Sequence, residues 1–322
     1  MSKTILGIDV SKKDLALALL VNEKIYKTKI LNNQEGFLEL LKWLDKHKIK
    51  EVTACLEATG HYGQQIADFL YFHNHKVSII NPSCIKAFAN SKLMRHKTDE
   101  VDSVVIAEYA SQNSLILYTP SSPEARQLKE LYRCSQDLKN QRTQVICHIE
   151  SSTLPYILNS WEKILKGIDC EIKELEKAID SLIQANDSLK INYENLQTIP
   201  GVGKTTAAAV LAEIPDLDSF KNARQLAAYA GLVPQIRTSG SSVRGRSKLS
   251  KLGSSKLRKL LYFPAVVGKT HNPILKSFCD RLKSKNKPTM SIIGAAMRKL
   301  LHIIFGVIKN KTSFDSNFNH SN

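Results

Sequence analysis

Residues 4–10 read Thr-Ile-Leu-Gly-Ile-Asp-Val, and the fold follows from how that stretch is taken. Period-two alternation puts Ile5, Gly7 and Asp9 on one face of a strand and Leu6, Ile8 and Val10 on the other. An acid closing an apolar strand is costly unless it is paired or holds a metal. The arrangement returns at Val52-Thr53-Ala54-Cys55-Leu56, which ends in Glu57. Asp99 and Asp102 stand three apart between Lys97 and Ser103, so a helix there presents both on one face. Four carboxylates from two strand ends and one helix make an all-oxygen set suited to Mg²⁺, with Mn²⁺ as a substitute. Two such ions ~3.5–4 Å apart serve phosphodiester chemistry by activating the attacking oxygen and stabilising the leaving one. Taken singly, each acid also has a plain reading as a solvated side chain, and Asp99 as the cap of a helix beginning after Thr98.

Outward from Asp9, β-rich runs cover Leu15–Val21 and Lys24–Leu31 around a hairpin turn at Asn22-Glu23. A helix is expected over Gly36–His47, a strand over Glu51–Glu57, a helix near Tyr62–His73 and a strand over Lys76–Ile80. Helical runs follow Pro82 and Asp99. Three antiparallel strands followed by βα units give the order of a ribonuclease H-like domain, assigned to residues 1–120. Residues 121–195 are helical, with a break at Pro155. There Leu165, Ile168, Ile172, Leu175, Ile179 and Leu182 form a heptad seam flanked by charges. The seam fits a paired coiled coil or an amphipathic helix on the core of the same chain. Residues 196–310 read as a mostly helical domain with glycine-rich, basic loops, and 311–322 as a polar, unstructured tail. The fold class is therefore α/β plus all-α.

Lysine and arginine outnumber acids 46 to 30, a net charge of +16 that calls for a polyanionic partner. A membrane is disfavoured: the N-terminus lacks a signal-length apolar run, and Ile292–Val307 is interrupted by Arg298, Lys299 and His302. The six cysteines are scattered without a Cys-x-x-Cys pair, which points away from zinc or disulfides and towards a reducing, cytoplasmic, nucleoid-associated setting.

Two later segments carry binding signals. Leu196–Lys204 reads LQTIPGVGK before an alanine-rich helix, like a helix-hairpin-helix turn in which the amides of Gly201 and Gly203, with Lys204, hold a DNA phosphate. A tight turn between two packed helices is the bland alternative. A Walker phosphate loop is excluded because its first glycine would fall on Thr198. No acid occurs between Asp218 and Asp280, a stretch with twelve bases, among them Arg237, Arg244, Arg246, Lys248, Lys251 and Arg258. Glycine and serine interleave with the arginines, so the backbone is open to phosphates. Ser239, Ser241 and Ser242 lie in that loop, and any of them, beside arginine, could act as a nucleophile. An actin-like ATPase is excluded by the lack of adjacent glycines, and the triplet His73-Asn74-His75 is too short to signify a nuclease.

These motifs, GIDVSK (7–12), LEATG (56–60), KTDEVDS (97–103), IPGVG (199–203) and GLVPQ…SG (231–240), stand in the order seen in insertion-sequence transposases of the IS one-ten family, and the resemblance spans residues 4–305. It implies a RuvC-like domain whose catalytic, metal-binding quartet is Asp9, Glu57, Asp99 and Asp102. It further implies a coiled-coil segment and a C-terminal domain with a nucleophilic serine, which maps onto Ser239 because that serine precedes a glycine. DNA as substrate, a structured guide RNA and a homo-oligomer, dimer or tetramer, are implied with it. Gln235 departs from the basic residue often found after the family's Val-Pro. The rival reading is a RuvC-like endonuclease that cuts branched DNA by hydrolysis, with free ends rather than a covalent adduct as product.

Overall fold

The computed structural model describes residues 4–58, 60–92, 98–214, 217, 220–235, 238–239, 243–244 and 248–316. The chain divides into two compact units, Met1–Pro120 and Ser121–Asn322.

The first unit is a five-stranded sheet. Strands β1 (Ile5–Val10), β2 (Asp14–Val21), β3 (Lys24–Leu31), β4 (Thr53–Glu57) and β5 (Lys76–Ile80) lie in the order β3-β2-β1-β4-β5. The β3-β2-β1 half is antiparallel and the β1-β4-β5 half parallel, which is the ribonuclease H-like arrangement. Asn22 and Glu23 turn the hairpin with φ of 46° and 68°, the left-handed pair whose twist matches the flanking strands. Alternation along the strands sorts the core. Leu6, Ile8, Leu17 and Leu56 pack with α1 (Gln34–Lys46) and α2 (Gln64–Phe72). On the opposite face, Ile5, Ala18 and Cys55 pack with α3 (Pro82–Ser91) and α4 (Asp99–Gln112). His73, Asn74 and His75 belong to the turn that ends α2. Asn74 has a φ of 62° and the His73 ring accompanies Phe69, so the triplet is a helix stop.

In the second unit, α5 (Pro123–Ser151) and α6 (Pro155–Ala185) form an antiparallel hairpin. Lys139 pairs with Glu176 at 2.7 Å and Arg142 with Asp169 at 2.6 Å, while His148 stacks on Trp161. The heptad seam thus packs within one chain, where Ile172 and Ile179 are buried. Heptad spacing specifies a partner helix but not whose helix it is. At its base the hairpin joins a larger core. Leu128 and Ile183 meet residues of α7 (Asp187–Gln197), α8 (Lys204–Glu213), α9 (Ala223–Tyr229), α10 (Ser255–His271), α11 (Pro273–Ser284) and α12 (Thr289–Asn310). Helix α12 is long and apolar enough to cross a membrane, but Leu300, Leu301 and Ile304 are fully buried in this core.

Two expectations need correction. Residues 234–249 were expected as a loop. The described residues of this stretch instead pair as two short antiparallel ladders, Pro234 with Leu249 and Gln235 with Lys248, and Thr238 with Arg244 and Ser239 with Val243. Strand formation there rests on pairing between segments whose turn residues hid the alternation. The tail beginning at Lys311 is also ordered in its first part. Phe314 packs against the core and its amide donates to Thr198 Oγ1 at 2.7 Å, while Ser313 Oγ donates to Asn195 at 3.2 Å. One half-buried aromatic holds a segment whose composition is polar. Residues 317–322 lie outside the described residues.

Candidate active site

The register of the sheet brings the first two acids together. Ile8 pairs with Leu56 across parallel strands, so Asp9 and Glu57 follow side by side at the carboxyl ends of β1 and β4. Neighbouring strands are ~4.8 Å apart. Asp9 shares its face with Ile5 and Gly7, and Glu57 with Cys55, which is the face covered by α4. Ligands of open α/β sheets bind at such strand ends.

Helix α4 brings the other two. Thr98 is its N-cap and accepts from the Val101 amide at 3.3 Å, so capping falls to Thr98 and not to Asp99. Asp99 and Asp102 occupy the first turn, where the helix dipole favours anions. The approach of α4 to β1 depends on Gly7. A Cβ there would stand 2.1 Å from the Ser103 carbonyl oxygen and 2.6 Å from the Ala107 nitrogen. Ser103 and Ala107 are fully buried and small, so helix and strand meet backbone to backbone. The sequence reading placed Gly7 on the right face but missed this role. Its signal was the single glycine in an otherwise β-branched and apolar strand.

Burial and neighbouring charge both act on Asp9. Asp9 is pushed up to about 6, first by burial and then by repulsion from Asp102, Asp99 and Glu57. Each of the three raises the cost of ionising Asp9, so Asp9 lies within electrostatic reach of all three. Among the described residues, no three His, Cys, Asp or Glu side chains already stand close enough to share an ion. The donor chemistry of the set, four carboxylates and no nitrogen or sulfur, is of the kind that hard divalent cations take.

Lys29 is a neighbour that the sequence reading did not single out. Asp9 pairs with Ala16 and Ala16 with Lys29, which puts Lys29 two strands along the same row. Its Nζ meets Asp14 at 3.0 Å, and Asp14 first, then Asp99 and Glu100, raise its pKa. The hairpin register would have revealed it.

In the second unit, Gly201 has a φ of 100°, and a Cβ there would stand 2.8 Å from the Pro264 carbonyl oxygen and 3.0 Å from the Gly268 nitrogen. Gly201 therefore seats the turn between α7 and α8 on α10. Gly203 has open space beside it and is the N-cap of α8 without a side-chain cap, and Lys204 is exposed. Lys248 and Lys251 are exposed as well. Arg258, expected to meet nucleic acid, also has a structural role. Its Nη1 donates to the carbonyls of Ala230, Gly253 and Ser254 at 3.0–3.3 Å, which ties α9 and the preceding turn to α10. The backbone of Ser239 and Arg244 lies in the second short ladder. Arg237, Arg246, Ser241 and Ser242 lie outside the described residues.

A mixed sheet of this order, with acids at the ends of β1 and β4 and on the first turn of α4, defines the RuvC-like class of the ribonuclease H-like fold. Residues 6–156 match the DEDD transposase family of IS110 elements, and residues 193–280 match the family described as Transposase IS116/IS110/IS902. The chain belongs to this IS110 family of transposases, whose members cut and rejoin DNA. It is 35% identical over 318 residues, 98% of both chains, to the pilin gene-inverting protein of Moraxella lacunata. It is 28% identical over 211 residues, 57% of both chains, to the transposase for insertion sequence element IS1111A of Coxiella burnetii. Among solved structures, RuvC of Thermus thermophilus aligns with a TM-score of 0.27 and 13% identity, covering 36% of this chain and 99% of that one.

Proposed function

We propose that this transposase moves or inverts its DNA element by metal-assisted transesterification through a phosphoserine intermediate. The observation that carries the reading is the coupling of Asp9 to Asp102, Asp99 and Glu57. Those four residues would hold Mg²⁺ or Mn²⁺, which when bound supplies Lewis-acid polarisation of the scissile phosphate. The chain supplies the rest. Ser239 Oγ forms the new bond to phosphorus as the bond to the 3′-oxygen breaks, and the hydroxyl proton ends on the freed 3′-oxygen. Rejoining reverses the step with a different 3′-hydroxyl. Arg237, two residues before the serine, steadies the charge that develops on the phosphate.

The quartet and Ser239 belong to different units, so the reaction requires the two to meet, either within one protomer or between two. A homo-oligomer is part of the proposal, and the exposed Leu154, Tyr156 and Ile157 at the turn that joins α5 to α6 offer apolar area for it. The net charge of +16 supports DNA, with the element ends and target as substrates. A structured guide RNA and a cytoplasmic setting complete the proposal by family resemblance.

The test is incubation of the purified protein with flanking DNA of its own element, Mg²⁺ and RNA transcribed beside the gene. Denaturing gels should show a protein–DNA adduct that Ser239→Ala abolishes while DNA binding persists. Ser241→Ala and Ser242→Ala should retain it. Free cut ends without any adduct would replace the reading by hydrolysis of the RuvC type.

A further inference from the structure

The solvent face of α10 combines charge and an aromatic ring in a way that the cleavage chemistry does not use. Lys256, Lys259, Phe263 and Val267 follow at steps of three, four and four, so they line one side of the helix, and all four are exposed. Phe263 is 73% exposed, while Leu257, Leu261, Pro264 and Ala265 on the other side are buried. The Phe263 ring is held by its neighbour. Tyr262 packs against the core and meets Phe263 edge-on, with centroids 5.3 Å apart at 86°. Behind the helix, Gly201 rests against Pro264 and Gly268, so the face sits on a rigid support.

The occupant follows from the charge. Helix α10 contains no acid, nor does the chain from residue 219 to 279, so the partner is anionic. An exposed phenylalanine between lysines and an aliphatic residue suits a planar apolar surface beside phosphates. Unpaired nucleotides offer both, whereas a duplex hides its base faces in the stack. We propose that this face is a stacking platform for a single-stranded nucleic-acid segment, with a base on Phe263 and backbone phosphates on Lys256 and Lys259. The proposal rests on the nucleic-acid reading above but on none of its chemistry.

The experiment is fluorescence anisotropy with the full chain, using a labelled mixed-sequence 20-mer single strand and the matching duplex. Phe263→Ala should weaken the single strand by about 5- to 150-fold and leave the duplex within about twofold. Phe263→Trp should keep the affinity, and its indole emission should be quenched as the strand is added. Asp9→Asn, which removes the proposed chemistry, should bind the strand like the wild type. Unchanged single-strand affinity in Phe263→Ala, an equal loss for strand and duplex, or an unquenched tryptophan would overturn the platform while leaving the phosphoserine reading intact. A change of oligomeric mass in Phe263→Ala would also overturn it, by assigning the face to a second copy. Failure of the wild type to bind either probe would sink both.

Discussion

Gly7 and Ser103 touch through their backbones: a Cβ on Gly7 would lie 2.1 Å from the Ser103 carbonyl oxygen. This contact sets how near the first turn of α4 comes to the end of β1, and with it the distance of Asp99 and Asp102 from Asp9. Gly7→Ala should push α4 away, cost about 1–3 kcal/mol by overpacking and abolish strand cleavage. Ser103→Ala, which removes a hydroxyl but keeps the helix path, should retain activity. Urea unfolding together with a cleavage assay checks both, and an active, fully stable Gly7→Ala protein would refute the account.

The quartet should destabilise the fold that carries it. Asp9 has a folded pKa of about 6 against 3.8 for the ordinary group, so the folded state binds its proton more tightly than the unfolded one. Its contribution is therefore most favourable below pH 4 and is lost as pH rises through 6. Asp9→Asn has no such charge to repel its neighbours. In metal-free buffer at pH 7–8 it should melt higher than the wild type, by a few degrees, and the gap should close towards pH 4. A melting temperature lower than wild type at pH 8 would contradict the repulsion.

Divalent cations should reverse that sign. An ion that binds only the folded quartet stabilises by mass action, about 2.7 kcal/mol at a hundredfold excess over Kd. Addition of millimolar Mg²⁺ or Mn²⁺ should raise the melting temperature of the wild type and leave Asp9→Asn and the double variant Asp99→Asn with Asp102→Asn little changed. Equal shifts in all three proteins would show that the ion acts elsewhere.

Arg133 and Glu213 join α5 to α8 through two bonds of 3.1 Å each, and Glu213 is only 4% exposed. Arg133→Ala strands a buried carboxylate and should cost about 3–5 kcal/mol. Replacing the pair together, Arg133→Met with Glu213→Leu, should restore most of the stability. A double-mutant cycle by chemical denaturation measures the coupling, and a near-zero value would show that the pair carries no net interaction.

How much of this was legible before any coordinates existed depends on the distance in sequence between the residues concerned. Alternation within 4–10 and 52–57 was enough to place Asp9 and Glu57 at strand ends on one face, and a spacing of three sufficed for Asp99 and Asp102, because side-chain direction is a local property of strand and helix. The order of three antiparallel strands before the βα units came from local runs and a turn in the same way. The ladder that carries Ser239 was hidden, because its two-residue strands, Thr238 with Arg244 and Ser239 with Val243, are too short and too rich in turn residues to give a periodic signal. That Arg258 also ties carbonyls up to 28 residues away could not be read from its basic surroundings. By itself, then, the sequence determined the five strands of the main sheet, the helices beside them and which faces their acids occupy. Tertiary packing alone decided how closely Gly7 admits α4, that the hairpin seam closes within one chain, and that repulsion among the four carboxylates raises Asp9, since each depends on the separation of groups that the chain brings together only when folded.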